Sequence, residues 1–214
     1  MKVKKLATDN YKLFCSLEGS DYIASEFALE TLLKLITVFK IKKILEIGLG
    51  IGSVSDTILK LDKKKDLKID YYGTEMNQFC LEALQKNVFD FKKINLFSEI
   101  KDIPNEKFNL IIIDGSDDNL NFIKEKSEKT TIFFVEGDRK SQTEKILEIF
   151  PNHLYVNVIT LKKNPPYAHE GRDSNTYIGG GQLIFINPTL KMRIYWLKEK
   201  VATFIKRKIR RWNK

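Results

Sequence analysis

Apolar residues along this chain follow two alternating rhythms. Between Tyr22 and Phe39 they recur at helical spacing (Ile23, Phe27, Leu32, Leu35, Ile36, Phe39), which predicts a helix ahead of the first strand. From residue 43 onward, short apolar runs predict strands at about 43–47, 69–74, 93–97, 108–114, 131–136, 153–162 and 182–187. Amphipathic stretches between them predict helices at about 53–61, 77–89, 119–128 and 140–149. The fourth and fifth strands are continuously apolar, as expected for strands covered on both faces. No helix separates the last two strands, so they are expected to pair antiparallel at one edge. The pattern predicts an α/β fold with a mostly parallel seven-stranded sheet and helices on both faces. A polar N-terminal arm (1–21), one domain (22–188) and an amphipathic C-terminal helix (189–214) are the expected organisation. No internal repeat or low-complexity linker interrupts it.

The first predicted strand runs into Glu46-Ile-Gly48-Leu-Gly50-Ile-Gly52-Ser. Glycines at alternate positions let backbone approach a ligand where a Cβ would collide. A helix opens at Ser53, so free amides and the positive end of its dipole face whatever binds there. The spacing is not that of the dinucleotide fingerprint, which needs its third glycine three positions after the second. Nor does the Gly-Lys-Ser/Thr of a phosphate-binding loop follow.

The run Glu46-x-Gly48-x-Gly50-x-Gly52 resembles the first motif of the class I S-adenosylmethionine-dependent methyltransferases, and the resemblance spans about 22–187. It implies a Rossmann-like sheet and S-adenosylmethionine as cofactor. The second strand, Ile69-Asp-Tyr-Tyr-Gly-Thr-Glu75, ends in an acid. In that family the corresponding carboxylate accepts from both ribose hydroxyls, a role implied for Glu75, with Met76 against the adenine. The plainer readings are a surface acid beside a helix start for Glu75 and core packing for Met76.

In open sheets of this kind ligands bind outside the carboxyl ends of the strands. That rule nominates Glu46, Glu75, Ser98, Glu99, Asp114 and Glu136 as neighbours at one edge. Methyl transfer asks mainly for alignment of acceptor and donor. A base is needed only where the acceptor has a proton to lose, and Asp114 is the best placed. A divalent cation would help by lowering the acceptor's pKa. Asp114, Glu136 and Asp138 are an oxygen set suited to Mg2+, resembling the metal-dependent O-methyltransferases of sugars and catechols, although the Asp-Asn pair of the catechol enzymes is absent. The plainer reading pairs Glu136 with Arg139. Asn164-Pro-Pro-Tyr167 matches a signature of DNA adenine and protein glutamine N-methyltransferases but stands two strands too late for that role; a rigid turn is the alternative. The loop it opens, 164–181, is read as a substrate lid hinged on Gly179–Gly181, with His169 as base, metal ligand or exposed residue. His153, before an apolar strand, is read as structural.

Composition then narrows the partners. The 214 residues carry a net charge of +9, but ten basic residues and the single acid Glu199 lie between Thr189 and Lys214, leaving 1–188 balanced. The basic excess is a tail, not a channel for a polyanion. In that tail Leu190, Ile194, Leu197, Val201, Phe204, Ile205 and Trp212 share one helical face, with Lys200, Lys206, Arg207, Arg210, Arg211 and Lys214 read as lying opposite. This pattern fits an anionic membrane surface; RNA binding or docking on this domain or a second subunit are the alternatives. Two distant cysteines, Cys15 and Cys80, imply neither a disulfide framework nor a zinc site. With no signal peptide or membrane span in the sequence, a cytoplasmic protein, peripheral on the inner membrane face, is expected. The expected activity is methylation of oxygen on a small-molecule or glycan-like (saccharide) acceptor. A nucleic-acid methyltransferase and a non-catalytic module on the same fold are the competing classes.

Overall fold

A computed structural model describes residues 3–115, 120–168 and 173–212. Its seven strands form one sheet in the order β3-β2-β1-β4-β5-β7-β6. The central strand β1 (Lys43–Ile47) is flanked by β2 (Asp70–Thr74) and then β3 (Ile94–Phe97) on one side. On the other side stand β4 (Phe108–Ile113) and β5 (Ser127–Glu136), all five parallel. β7 (Gly181–Ile186) runs antiparallel to β5, and the outermost strand β6 (His153–Val158) antiparallel to β7. Ile47 lies level with both Thr74 and Ile113, so the residues after β1, β2 and β4 emerge side by side.

Alternation along each strand sorts the core onto two faces. Ile44, Leu110, Ile112, Ile132 and Phe134 join the cluster that includes α1 (Val3–Cys15), α2 (Glu26–Phe39) and α3 (Ser53–Lys65). Leu45, Ile47, Ile111, Ile113, Phe133 and Val135 face the other way, toward α5 (Lys140–Ile149). α4 (Gln78–Asn87) follows β2.

Three elements depart from the sequence pattern. Residues 3–15, read as part of a polar arm, form α1, which buries Leu6, Ala7, Asn10, Tyr11 and Phe14. Its Asn10 side chain donates to Thr57 Oγ1 at 2.6 Å and accepts from Lys60 Nζ at 2.7 Å, tying α1 to the helix that leaves the glycine turn. The helix expected at 119–128 is a short 3-10 turn, Leu120–Lys124, and β5 begins at Ser127. The polar start of β5 belongs to the sheet because Ser127 pairs with Phe108 and the Thr131 hydroxyl donates to Phe108 O at 2.9 Å. Last, β6 ends at Val158 rather than at 162.

The C-terminal helix α6 (Leu190–Trp212) is docked on the sheet edge. Met192 is buried, the Tyr195 ring lies 5.3 Å from Phe39 and 6.1 Å from Phe185, and Trp196 Nε1 donates to Tyr155 O at 2.8 Å. Lys206 Nζ donates to Ile159 O at 2.9 Å and Arg210 Nε to Thr160 O at 3.0 Å. Two residues of the basic side are thus contacts to the body, as the alternative of a helix docked on this domain expects. No helix among the described residues is long and apolar enough to cross a membrane.

Candidate active site

One cavity of about 540 Å3 opens at the carboxyl ends of β1, β2, β4 and β5. Of the nominated residues, Gly48, Gly50, Glu75, Met76, Ser98, Glu99, Asp114 and Glu136 all line it. Gly48 and Gly115 belong to the turns after adjacent strands, and a Cβ on Gly48 would stand 2.5 Å from the Gly115 Cα. Only glycine at both places lets those turns touch.

Glu75 closes β2, and its carboxylate is fixed by backbone. The Gly50 amide donates to Oε2 at 2.8 Å, and the Met76 and Asn77 amides donate to Oε1 at 2.9 and 2.8 Å. A carboxylate has about four acceptor sites, so three amides leave room for a ligand hydroxyl. Asn77 caps α4 by accepting from Cys80 N at 3.2 Å. The Cys80 thiol on the same wall is pushed up to about 11 by burial, with the Glu75 charge adding, so it stays protonated.

Across the cavity Arg139 reaches both other acids. Its guanidinium lies 3.3 Å from Asp114 Oδ1 and 3.3 Å from Glu136 Oε2, and it donates to the Glu136 carbonyl at 2.6 Å. The other Glu136 oxygen accepts from Ser25 N, the N-cap of α2, at 3.2 Å. Both carboxylates are thus satisfied by a cation carried on the protein. Asp138 is exposed and does not line the cavity. Among the described residues no group of three His, Cys, Asp or Glu could hold a metal. The Asp114, Glu136 and Asp138 set therefore does not fit Mg2+. Residues 116–119, which follow Asp114, lie outside the described residues.

The lining holds five carboxylates (Asp21, Glu75, Glu99, Asp114, Glu136) against one guanidinium. Lys101, which does not line the cavity, pairs with Glu99 at 2.5 Å. A cavity so charged favours a cationic ligand and repels phosphates.

No protein-family model matches the chain, and no curated protein matches it. Solved structures do. A Klebsiella pneumoniae protein described as an O-methyltransferase superposes with a TM-score of 0.58 at 14% identity, over 88% of this chain and 91% of its own. An O-methyltransferase from Bacillus cereus in complex with SAH gives 0.57 at 11% identity, over 86% and 91%. The O-methyltransferase TomG from Streptomyces achromogenes, in complex with SAM, gives 0.52 at 11%, over 88% and 91%. This chain has the class I methyltransferase fold.

Within that methyltransferase fold several nominated residues have other roles. Glu46 does not line the cavity: it is fully buried, one oxygen accepts from the Tyr71 hydroxyl, and Oε1 has no hydrogen-bond partner. Burial pushes its carboxyl well above the usual carboxylate range; the Tyr71 bond opposes the shift, while Asp114 and Glu75 add to it. Gly52 does not line the cavity either, because it faces α4: a Cβ there would stand 2.3 Å from Val88, and its φ is +97°. It is a packing glycine rather than a ligand contact. Asn164 donates to Asp173 O and Thr176 Oγ1 at 3.2 and 2.9 Å, and Tyr167 lies 6.3 Å from the Tyr11 ring, so the Asn-Pro-Pro-Tyr segment packs on α1 away from the cavity lining. Of the three glycines read as a hinge, Gly181 is held in β7 opposite Glu136 and Gly180 O accepts from Gly137 N at 3.1 Å, while a Cβ on Gly179 would meet open space. His169 lies outside the described residues. His153 Nδ1 meets Phe150 O at 2.5 Å, at the end of α5.

Sequence reasoning missed Asp21, Tyr22, Ile23, Thr74, Asn77 and Cys80 as lining residues. Asn77 had a signal, an N-cap residue directly after a strand. Asp21 and Tyr22 had none, because the chain brings them in from a turn ahead of the sheet.

Proposed function

We propose that this protein transfers a methyl group from S-adenosylmethionine to an oxygen of a small-molecule acceptor. The observation that carries the reading is the acid-lined cavity in which Glu75 is fixed by the Gly50 amide. The residues fit the cofactor: Gly48 and Gly50 line the cavity, their missing side chains letting Gly115 and the Tyr22 carbonyl pack against the turn, Glu75 suits ribose hydroxyls, and the surplus of carboxylates suits a sulfonium and an ammonium. When bound, the cofactor supplies a methyl group already activated for displacement. The chain holds the reactants in line and keeps competing anions out. Met76 offers an apolar surface for the adenine, and Ser98 and Glu99 offer polar edges beside it.

Asp114 accepts a hydrogen bond from the acceptor hydroxyl and orients it, while Arg139 holds Asp114 and Glu136 in fixed relation. His169 is a further proton acceptor in this reading. Saccharide acceptors, rich in hydroxyls, suit such a carboxylate-lined mouth better than nucleic acids, whose phosphates the same carboxylates repel. Two free cysteines, neither in a disulfide, are in keeping with a cytoplasmic enzyme.

Isothermal titration with S-adenosylmethionine tests the cofactor assignment. Binding by the wild type, weakened at least tenfold in Glu75→Ala because a charge-assisted hydrogen bond is lost, is the expected result. No heat of binding, or equal affinity in the variant, would defeat it.

A further inference from the structure

The docking of α6 leaves its most apolar face outward. At about 100° per residue, the stripe from Leu190 through Leu197 and Phe204 to Trp212 covers an arc of about 100°. Its seven members are each 51–82% exposed. Met192, Thr203 and Arg210, which meet the body, lie on the opposite arc. The helix is therefore held on the protein by one side and presents an apolar ridge on the other, unbroken from Leu190 to Ile205 and crossed by Lys208 before Trp212, away from every element it packs against. An isolated exposed leucine needs no explanation; a stripe of this length marks a partner.

The charges beside the stripe identify that partner. Lys198 borders it on one flank, and Lys200, Arg207 and Arg211 on the other, so these last three stand beside the stripe. Among the described residues, which do not include Lys214, only Lys206 and Arg210 of the basic set expected opposite the stripe lie there. Lys200 Nζ lies 4.6 Å from the Trp196 ring at that flank. Lys208 falls on the line of the stripe itself, its Nζ 4.9 Å from the Phe204 ring and its stem running along apolar surface toward the headgroup level. We propose that α6 is a membrane-docking ridge, which inserts its apolar stripe at the surface of an anionic phospholipid bilayer while the flanking lysines and arginines meet the headgroups. A second copy of the helix would bring basic flank against basic flank. Nucleic acid would engage the cations and leave the apolar stripe, the outermost part of the helix, in water. A bilayer alone uses both. Arg210 and Lys206, spent on Thr160 and Ile159, hold the helix at the fixed angle that keeps the stripe outward.

The test uses the full chain and sedimentation with vesicles of phosphatidylcholine containing phosphatidylglycerol. Expected is binding with a blue shift of Trp212 emission, weakened about fivefold or more for each basic flank residue replaced and by added salt, and at least tenfold weaker on pure phosphatidylcholine. Deleting α6 would uncover Phe185 and Phe39 and is the wrong variant. The triple substitution Leu197→Glu, Val201→Glu, Phe204→Glu changes only exposed side chains, and is expected to keep the wild-type melting temperature while losing vesicle binding. No binding to anionic vesicles at low salt overturns the proposal, as does unchanged binding by the triple variant. So does a concentration-dependent dimer that the variant abolishes, or RNA retention that it leaves intact. The stripe does not line the cavity, so titrating the triple variant with S-adenosylmethionine reads the cofactor assignment separately.

Discussion

Glu46 has no exposed surface, one oxygen against the Tyr71 hydroxyl and the other without a partner. Its carboxyl is raised by burial, so the folded chain keeps a proton that the unfolded chain gives up. Stability from this group is fully present below the ordinary carboxylate pKa and is lost as pH rises toward the folded value, at about 1.4 kcal/mol per pH unit. Glu46→Gln carries no such cost. Urea unfolding between pH 4 and 9 (about the range in which buried carboxyls titrate) should show the variant gaining on the wild type as pH rises, then levelling; a constant difference would refute it. Arg139 argues similarly by residue. It neutralises Asp114 and Glu136, whose side chains are each 14% exposed, so Arg139→Met is expected to cost about 2–4 kcal/mol in the same assay, because two like charges are left facing one another. With that guanidinium in place a chelator should do nothing, and EDTA is expected to leave both methyl transfer and the wild-type unfolding midpoint unchanged. The apolar spacing around Asp114 and Glu136 announced where these acids would stand. The pairing of Arg139 with Glu136 was legible three residues apart, but its reach back to Asp114 was not, since that depends on the turn angle after β5.

At the scale of elements, the strands read most plainly from the sequence, because Ile111–Ile113 and Phe133–Val135 have no polar face that could be solvated. β1 occupies 43–47 as its pattern says. Elements whose burial is shared with polar neighbours were harder. In α1 the buried Leu6, Ala7, Tyr11 and Phe14 are interleaved with lysines and an asparagine that bonds across to α3. Ser127–Thr131 joins β5 through partners on Phe108, not through its own hydrophobicity. If α1 is part of the core, Phe14→Ala should cost about 3–5 kcal/mol, the usual penalty for emptying a buried aromatic site; denaturant unfolding that shows less than about 1 kcal/mol, the level of a surface change, would return it to the status of a loose arm. Gly52 belongs here as well: one motif supplies glycines to two tasks, with Gly48 and Gly50 at the cavity and Gly52 under α4. Spacing alone could not divide them.

For the whole molecule, the sheet order matters beyond placing the cavity. β7 is the last strand made, yet it lies between β5 and β6. Until Gly181–Ile186 leaves the ribosome, the edge of β5 has nothing to pair with, although Ile132–Val135 are completely buried in the finished protein. Some 45 residues separate Glu136 from Gly181, which at about 5–20 residues per second is a wait of roughly 2–9 s. For that interval the nascent chain offers a bare, apolar strand edge to any other strand nearby. A chain released early, anywhere between 137 and 180, would keep that edge permanently and should be found with chaperones or in aggregates rather than as a smaller folded domain.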